Sequence, residues 1–188
     1  MPPESHNQKA QTAAAERRAI LEVKELFKKE GMEIADNEIP TLKLHTPGKP
    51  PFPILMLLLT VPKDIADMFT LITDGAAVTG IGLILLFIGR AFATAFSAIV
   101  ALVLFLWLLG KINIFQKAGV RWMGRKFAQW AMTRWLGATV AETIAPAFPM
   151  ATILVLFAHY RENKYIGLLL TAADKIGRAF KGGKLKMK

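Results

Sequence analysis

The sequence contains no cysteine. Disulfide bonds, thiolate nucleophiles and metal sites with cysteine ligands are therefore excluded. The three histidines, His6, His45 and His159, lie far apart in unrelated contexts. Sequence motifs for a zinc protease, a phosphate-binding loop, a serine nucleophile or a dinucleotide site are also missing. These absences predict a protein that is not an enzyme, with no catalytic residue, no metal site and no cofactor.

Charge is nearly missing from residues 75–110, a stretch of 36 residues in which Arg90 is the single charged residue. One straight helix of this length would extend about 54 Å, whereas the hydrocarbon core of a bilayer is about 30 Å thick. A lone arginine at the bilayer centre is also costly. The stretch therefore predicts a transmembrane helical hairpin, with spans at about 75–89 and 91–110 and its tip at Gly89 and Arg90.

Acidic residues are scarce, with 14 Asp and Glu against 24 Lys and Arg and a net charge of +10, although 53% of the residues are hydrophobic. The basic residues flank the apolar blocks, which is typical of membrane proteins and not of nucleic-acid-binding proteins. The first 30 residues hold no apolar run of the signal-peptide kind. We therefore expect an all-α integral membrane protein of a bacterial inner membrane, inserted by its internal apolar segments, with a cytoplasmic N-terminus.

Two segments precede the apolar part of the chain. Residues 1–31 predict a polar tail and then a charged amphipathic helix over 12–30 that stops at Gly31. This helix either lies on the protein or membrane surface or docks a cytoplasmic protein partner. Residues 32–53 contain five prolines and predict an extended linker to a membrane module at 54–160.

A polar stripe marks residues 63–74, where Lys63, Asp67, Thr70 and Asp74 recur at helical spacing. The segment predicts an amphipathic interfacial helix that ends where the fully apolar sequence begins. Alternatively, it continues straight into the first span, and its polar stripe lines a cavity.

Small residues recur at helical spacing in the predicted hairpin, and such residues let helix backbones approach closely in lipid. The candidate packing residues are Ala76, Gly80, Ala91, Ala95 and Ala98. The pattern predicts packing within the hairpin or between copies. A homo-oligomer or a hetero-complex is therefore expected to assemble through the hairpin.

Acidic residues are absent from 111–135, which carries six basic residues. The segment predicts a helix in the membrane plane, with basic groups at the headgroups and an apolar face that contains Val120, Met123, Phe127 and Trp130. Residues 161–188 predict a second amphipathic helix with a basic tail. Its apolar face is expected to contain Tyr165, Ile166, Leu169, Ala172, Ile176 and Phe180. The candidate headgroup-binding residues are Lys117, Arg121, Arg125, Lys175, Arg178 and Lys181. The expected partner of both helices is a bilayer with anionic lipids, and no nucleic acid is expected.

The third apolar segment, residues 137–160, is long enough to cross a membrane. Pro146 and Pro149 lie within it and are expected to break or kink the helix as a hinge. Basic segments flank it on both sides, and basic residues prefer the cytoplasmic side, which favours a re-entrant excursion. Its length favours a crossing, and a three-span protein with a Pro-kinked third helix is the expectation.

Four charged residues are candidates for intramembrane function, namely Asp67, Asp74, Arg90 and Glu142. Glu142 is the strongest, because it lies in an apolar segment broken by proline. The alternative places it at the interface, paired with a nearby basic residue such as Arg134 or Lys126.

The layout predicts a small multi-pass membrane protein that serves as an anchor or scaffold subunit of a membrane assembly. One alternative is a pore former, which resembles holins in chain length, span number and basic tail. The other is a small ion-coupled transporter subunit that uses the intramembrane charges. The partner and the oligomer size do not follow from these residues.

Overall fold

The computed structural model describes residues 6–35, 39, 48–76, 80–117, 120–144 and 148–182, with side chains described for all of these except 6–9, 12, 70–76, 80–86, 117, 143 and 180–182. These ranges contain five helices and no strand, so the predicted all-α class is confirmed. The helices are α1 (His6–Lys29), α2 (Ile54–Ala76), α3 (Gly80–Lys117), α4 (Arg121–Ile144) and α5 (Met150–Gly182).

The chain divides into two compact units. The terminal unit combines both ends of the chain with one short internal segment, and consists of Met1–Lys49, Phe115–Arg121 and Asn163–Lys188. The central unit consists of Pro50–Ile114 and Trp122–Glu162. The helix α5 therefore contributes its first part to the central unit and its last part to the terminal unit.

In the terminal unit, α1 buries Ala19, Val23 and Phe27, which follow one another at intervals of four residues. The helix ends before Gly31, whose φ of 68° lies in the left-handed region that favours glycine. Its beginning at His6 corrects the expected start at residue 12, because the intervening Gln and Lys residues are themselves good helix formers.

The start of the predicted linker is packed, not extended in solvent, because Met32, Ile34 and Ile39 are buried. Residues 36–38 and 40–47 lie outside the described part of the chain, and residues 48–53 have no regular secondary structure.

The last part of α5 carries the apolar face that the sequence predicts. Five of its six expected members, Tyr165, Ile166, Leu169, Ala172 and Ile176, are buried, and the side chain of Phe180 is outside the description. This face is covered by protein, which corrects the expectation that it lies on a membrane. Two ion pairs also hold this part of α5: Lys175 donates to Glu22 on α1 at 2.7 Å, and Lys164 lies 2.6 Å from Glu30, the residue after α1. The hydrogen bond and charge of Lys175 lower the pKa of Glu22.

In the central unit, α2 and α3 run antiparallel. Asp67 near the middle of α2 lies beside Ser97, whereas Met56 near its start packs in one cluster with Leu104, further along α3. The helix α2 is also antiparallel to the first part of α5.

Two contacts show that α2 and the first part of α5 are antiparallel. The ring of Phe52, just before α2, meets the ring of His159 with 5.3 Å between centroids. Further along α2, Asp64 accepts a hydrogen bond from the backbone N–H of Thr152, near the start of α5.

The helices α4 and α5 are antiparallel as well. The guanidinium of Arg161 lies 4.9 Å from the ring centroid of Trp130, whereas Glu142 at the end of α4 shares a small cavity with Ala151 at the start of α5. The four helical segments of the central unit therefore form an up-down-up-down bundle.

The predicted transmembrane hairpin at 75–110 is wrong, because α3 is one helix of 38 residues that passes through Gly89 and Arg90 without a turn. A glycine inside a helix costs only about 1 kcal/mol, and arginine is a good helix former, so the pair does not stop the helix. The chain instead reverses between Ala76 and Gly80, where α2 ends and α3 begins.

The other predicted helix limits are also corrected. The expected interfacial helix at 63–74 is the second half of α2, which contains Pro62 in its interior. The expected helix at 111–135 is divided between α3 and α4, and Val120, Met123 and Phe127 are buried in protein.

The expected third span at 137–160 is also divided. It falls into the end of α4 and the beginning of α5, which run in opposite directions, so it does not cross as one helix. Helix packing with a neighbour, which no local pattern encodes, decides these limits.

Apolar and polar side chains are distributed unusually in the central unit. Among the described residues, it contains all the buried polar or charged side chains and all the exposed large hydrophobic side chains except Leu21 and Leu170. One stretch of α3, Phe87–Gln116, is long and apolar enough to cross a membrane, with a mean hydropathy of 2.5. Only 17% of its most apolar window is buried in the chain.

Candidate functional site

A cluster of buried charges surrounds Lys63 in the central unit. Its Nζ atom lies 2.8 Å from Glu142 Oε2, 2.9 Å from Asp67 Oδ2 and 3.6 Å from Asp64 Oδ1. The side chain of Lys63 is only 2% exposed, so this ammonium group has exchanged bulk water for three carboxylates. We call these four residues the Lys63 cluster.

The local sequence of α2 explains how three members of the cluster face inward. Residues spaced three and four apart share one face of a helix. Four polar residues of α2 have this spacing, and all of them are buried: Thr60, Lys63, Asp64 and Asp67. Four neighbouring residues on the other side of the helix are apolar and exposed, namely Val61, Ile65, Met68 and Phe69. The amphipathic pattern of α2 is thus inverted relative to that of a helix on a water-soluble protein.

Asp64 also caps α5, although it lies 88 positions away from the residue it contacts. Its Oδ2 atom accepts a hydrogen bond of 2.9 Å from the backbone N–H of Thr152, in the first turn of α5. The first N–H groups of a helix have no partner within the helix. The residues that precede α5, Phe148 and Pro149, have no side-chain acceptor to cap it. Asp64 supplies the missing acceptor and places a negative charge at the positive end of the helix.

We expect Asp64→Ala to be less stable than Asp64→Asn by about 1 kcal/mol, which is typical of a lost helix cap. Both substitutions remove the charge, but only asparagine keeps a side-chain oxygen that can accept from Thr152. Unfolding of the purified variants, followed by circular dichroism, measures the difference. Equal stability of the two variants would show that the contact does not cap α5.

Hydroxyl groups complete the polar interior. Ser97 on α3 donates to Asp67 Oδ1 at 3.5 Å, and Thr152 Oγ1 lies 3.3 Å from Thr60 Oγ1. All four helices of the central unit therefore contribute a polar group to the region around Lys63, and Glu142 is the one from α4.

The Lys63 cluster contains one positive and three negative groups. When all four are ionised, their net charge is −2, which a buried site tolerates poorly. A cavity of about 10 Å³ lies beside Lys63 and Glu142, which is close to the smallest volume that holds one water molecule. Within the described residues, no group of three or more His, Asp or Glu side chains is arranged to hold a metal ion.

A second buried ion pair lies at the other end of the bundle. Lys111 Nζ on α3 is 2.6 Å from Glu162 Oε2 on α5, and Glu162 is fully buried. The ammonium also lies 5.1 Å from the ring centroid of Trp107. From Ser97 to Lys111 the distance along α3 is about 21 Å. An apolar cluster lies between the Lys63 cluster and the Lys111–Glu162 ion pair. It contains Met56, Val100, Leu104, Ala151 and Val155.

The structure brings together two of the four predicted intramembrane charges, Asp67 and Glu142. The alternative pairing of Glu142 with Arg134 or Lys126 is not found, because the carboxylate lies beside Lys63 of α2 instead. Arg90 is exposed on α3.

The remaining predicted site residues are placed as follows. The side chains of Asp74, Ala76, Gly80, Lys117 and Lys181, and all of Pro146, lie outside the described part of the chain. The packing candidates Ala91, Ala95 and Ala98 are exposed, as are Arg121 and Arg125, and Pro149 immediately precedes α5. Lys175 and Arg178 are paired with Glu22 and Asp174. The sequence reasoning missed Asp64, Lys111 and Glu162. The inverted periodicity of α2 was a signal for Asp64, but no local signal marks the other two.

No family model, no curated protein and no solved structure matches the chain. Its function therefore has to be inferred from the geometry of the two units.

Proposed function

We propose that the chain is a non-enzymatic membrane anchor, in which the bilayer surrounds the central unit and the terminal unit is available for assembly with a partner. One observation carries this proposal: the central unit is apolar on its outer surface and charged in its interior. Charged side chains within a bilayer face the interior of a bundle and pair with one another. In water, so large an exposed apolar surface would cause aggregation.

The dimensions of α3 support the proposal. The part of α3 from Phe87 to Trp107 alone extends about 30 Å, which is long enough to cross the hydrocarbon core, and the helix itself begins earlier, at Gly80. Trp107 and the nearby Lys111 are suited to one membrane interface, since Trp and basic residues are enriched there.

The topology that follows has two crossings and a re-entrant pair of helices. The antiparallel helices α2 and α3 are the crossings. The helices α4 and α5 enter and leave on one side, because Trp130 and Arg161 are in contact. The turn between them lies near Ser97, about halfway between Phe87 and Trp107. Non-helical backbone at this depth is tolerated where protein surrounds it.

This topology also resolves the conflict between the two basic segments, 111–135 and 161–188. With α4 and α5 re-entrant, both segments lie on the same side of the membrane. The preference of basic residues for the cytoplasm supports the proposal that both segments are cytoplasmic and that the membrane is a bacterial inner membrane. Exposed Arg121 and Arg125 would contact anionic headgroups.

The scaffold role rests on the composition of the terminal unit. Both chain ends take part in it, and α1 is tied to α5 by ion pairs such as Lys175–Glu22. Its exposed surface is mostly charged and polar, with Leu21 and Leu170 as the exposed large apolar residues described there. The exposed alanines of α3, Ala91, Ala95 and Ala98, offer a surface for a second copy or another membrane subunit.

Single cysteines provide a direct test, because the chain has no cysteine of its own. Ala13→Cys and Leu170→Cys in the terminal unit are expected to share one labelling pattern with an impermeant thiol reagent in sealed vesicles. Arg90→Cys is expected to show the opposite pattern. Opposite labelling of Ala13→Cys and Leu170→Cys would favour three spans. Loss of the protein from carbonate-washed membranes would overturn the membrane anchor itself.

A further inference from the structure

A groove lies between α1 and the last part of α5, within the terminal unit, and its volume is about 660 Å³. We propose that this groove binds an acidic amphipathic helix of a partner protein. The inference rests on the proposed scaffold function, because it names the chemistry of the partner that the terminal unit would bind and the place where it binds.

The groove has the length and the course that a helix requires. Along α1 it is lined from Gln11 to Glu22, a distance of about 17 Å or three helical turns. The last part of α5 runs antiparallel to α1, because Lys175 pairs with Glu22 whereas Lys164 pairs with Glu30, just after the end of α1. A helix from a partner can lie along two packed helices of this kind and form a three-helix bundle with them.

The apolar lining of the groove is made of small side chains. In the described part of the groove it consists of Ala14, Ala15, Ala19 and Ala179. Short side chains let the axis of a neighbouring helix come close, since the distance between packed helices depends on the side chains at their contact. Larger apolar side chains of the partner, at spacings of three and four residues, can then fill the groove.

The charges at the groove indicate the sign of the partner. The side chains of Arg18, Lys175 and Arg178 line it, together with the carboxylate of Glu22. Lys175 pairs with Glu22, and Arg178 pairs with the adjacent Asp174. These five groups therefore have one positive charge in excess. Interfaces join surfaces of opposite potential, so this lining favours an acidic partner.

The sequence of the two helices extends this positive charge beyond the lining. The helix α1 contains six basic and three acidic residues, and residues 163–188 contain seven basic residues and one acidic residue. A second copy of the chain would bring two basic surfaces together, which opposes binding. The groove is therefore better matched to an acidic helix than to another terminal unit.

An anionic membrane surface has the same sign of charge as an acidic helix, but it does not match the shape of the groove. Amphipathic helices on membranes place large apolar side chains among the lipids. The apolar side chains at the groove are alanines on two neighbouring helices, and they line a concave surface. A convex helical partner fills such a surface, whereas a flat bilayer does not.

Binding of a synthetic peptide to the purified full chain, measured by titration calorimetry, tests this proposal. The probe is a helical peptide of about 18 residues, or five turns, with leucine and alanine on one face and glutamate on its flanks. We expect saturable binding to the wild type. Ala15→Trp, which fills the groove, and Arg18→Glu, which reverses a charge in it, are each expected to weaken binding about tenfold or more.

The matched controls are Ala13→Trp and Arg17→Glu, exposed positions of α1 that do not line the groove. Both are expected to bind the peptide as the wild type does. Arg17→Glu changes the net charge by the same amount as Arg18→Glu, so it separates the groove from the overall charge of the chain. If Ala15→Trp loses its helical circular dichroism signal, the two arginine variants still decide the test.

Three results would overturn the proposal. The first is a wild type that does not bind the peptide, or equal weakening by Arg17→Glu and Arg18→Glu. The second is displacement of the peptide by short-chain phosphatidylglycerol but not by phosphatidylcholine, which would assign the groove to anionic lipid. The third is a dimer of the chain that Ala15→Trp dissociates and Ala13→Trp does not. None of them affects the cysteine-labelling pattern, so failure of this proposal and failure of the membrane anchor are separate outcomes.

Discussion

Replacing Lys63 with methionine is expected to destabilise the central unit more than any other single substitution of a charged residue. Methionine has nearly the length of lysine but no charge, so three carboxylates would remain together in the interior. Removal of one partner from a buried ion pair typically costs about 3–5 kcal/mol, because the remaining charge is left uncompensated. The free energy of unfolding in detergent, followed by the helical circular dichroism signal, measures the effect.

The matched control for this substitution is Lys175→Met in the terminal unit. Its side chain is 39% exposed, and its partner Glu22 is 59% exposed. Exposed pairs add little to stability, so this variant is expected to unfold near the wild-type midpoint. The double variant Lys63→Met with Glu142→Gln is expected to recover part of the loss, since it removes one of the stranded carboxylates. A Lys63→Met protein as stable as Lys175→Met would show that the cluster is hydrated and not buried.

Local patterns in the sequence predicted those features that depend on neighbouring residues alone. Gly31 ends α1 because only a residue that tolerates positive φ fits this position. The apolar face of α5, from Tyr165 to Ile176, follows from helical periodicity and is buried as expected. Periodicity shows which residues share a face, but it does not show whether protein or lipid covers that face. The burial of this face inside the terminal unit was therefore not predictable.

The limits of α2 and α3 show a second reason for failure. A 36-residue apolar run exceeds one bilayer thickness, and its length alone therefore favours a turn at Gly89 and Arg90. The helix continues past them because the energetic penalty at each position is small, and its end carries Lys111 into an ion pair with Glu162. Long-range partners of this kind decide where a helix continues, and they have no local signature.

The site itself was half predictable. The polar stripe that contains Lys63 and Asp67 is visible in the sequence. The hypothesis that this stripe lines a cavity, and does not face the membrane interface, agrees with the burial of both residues. Glu142 stood out as a charge in an apolar segment. Their contact spans 79 positions and depends on the parallel course of α2 and α4 within the bundle, which no short pattern encodes.

Arginine in place of Ile99 on α3 is expected to remove the protein from membranes. Ile99 is 57% exposed and lies between Phe87 and Trp107, in the middle part of the proposed crossing. An arginine at the centre of a transmembrane helix costs about 3 kcal/mol on insertion scales, which corresponds to roughly a hundredfold shift in the insertion equilibrium. The fraction of expressed protein that remains in carbonate-washed membranes measures this shift.

The matched control is Leu21→Arg on α1, because Leu21 is 60% exposed and thus as accessible as Ile99. In the arrangement that we propose, this position faces water, where an added charge changes stability by only about 0.5 kcal/mol or less. Leu21 and Ile99 have nearly the same exposure in the chain, and the difference that matters here is the solvent that we assign to each of them. If Ile99→Arg stays in the washed membranes as fully as Leu21→Arg does, the outer face of α3 is not in contact with lipid. In that case the apolar surface of the central unit must be covered by another protein.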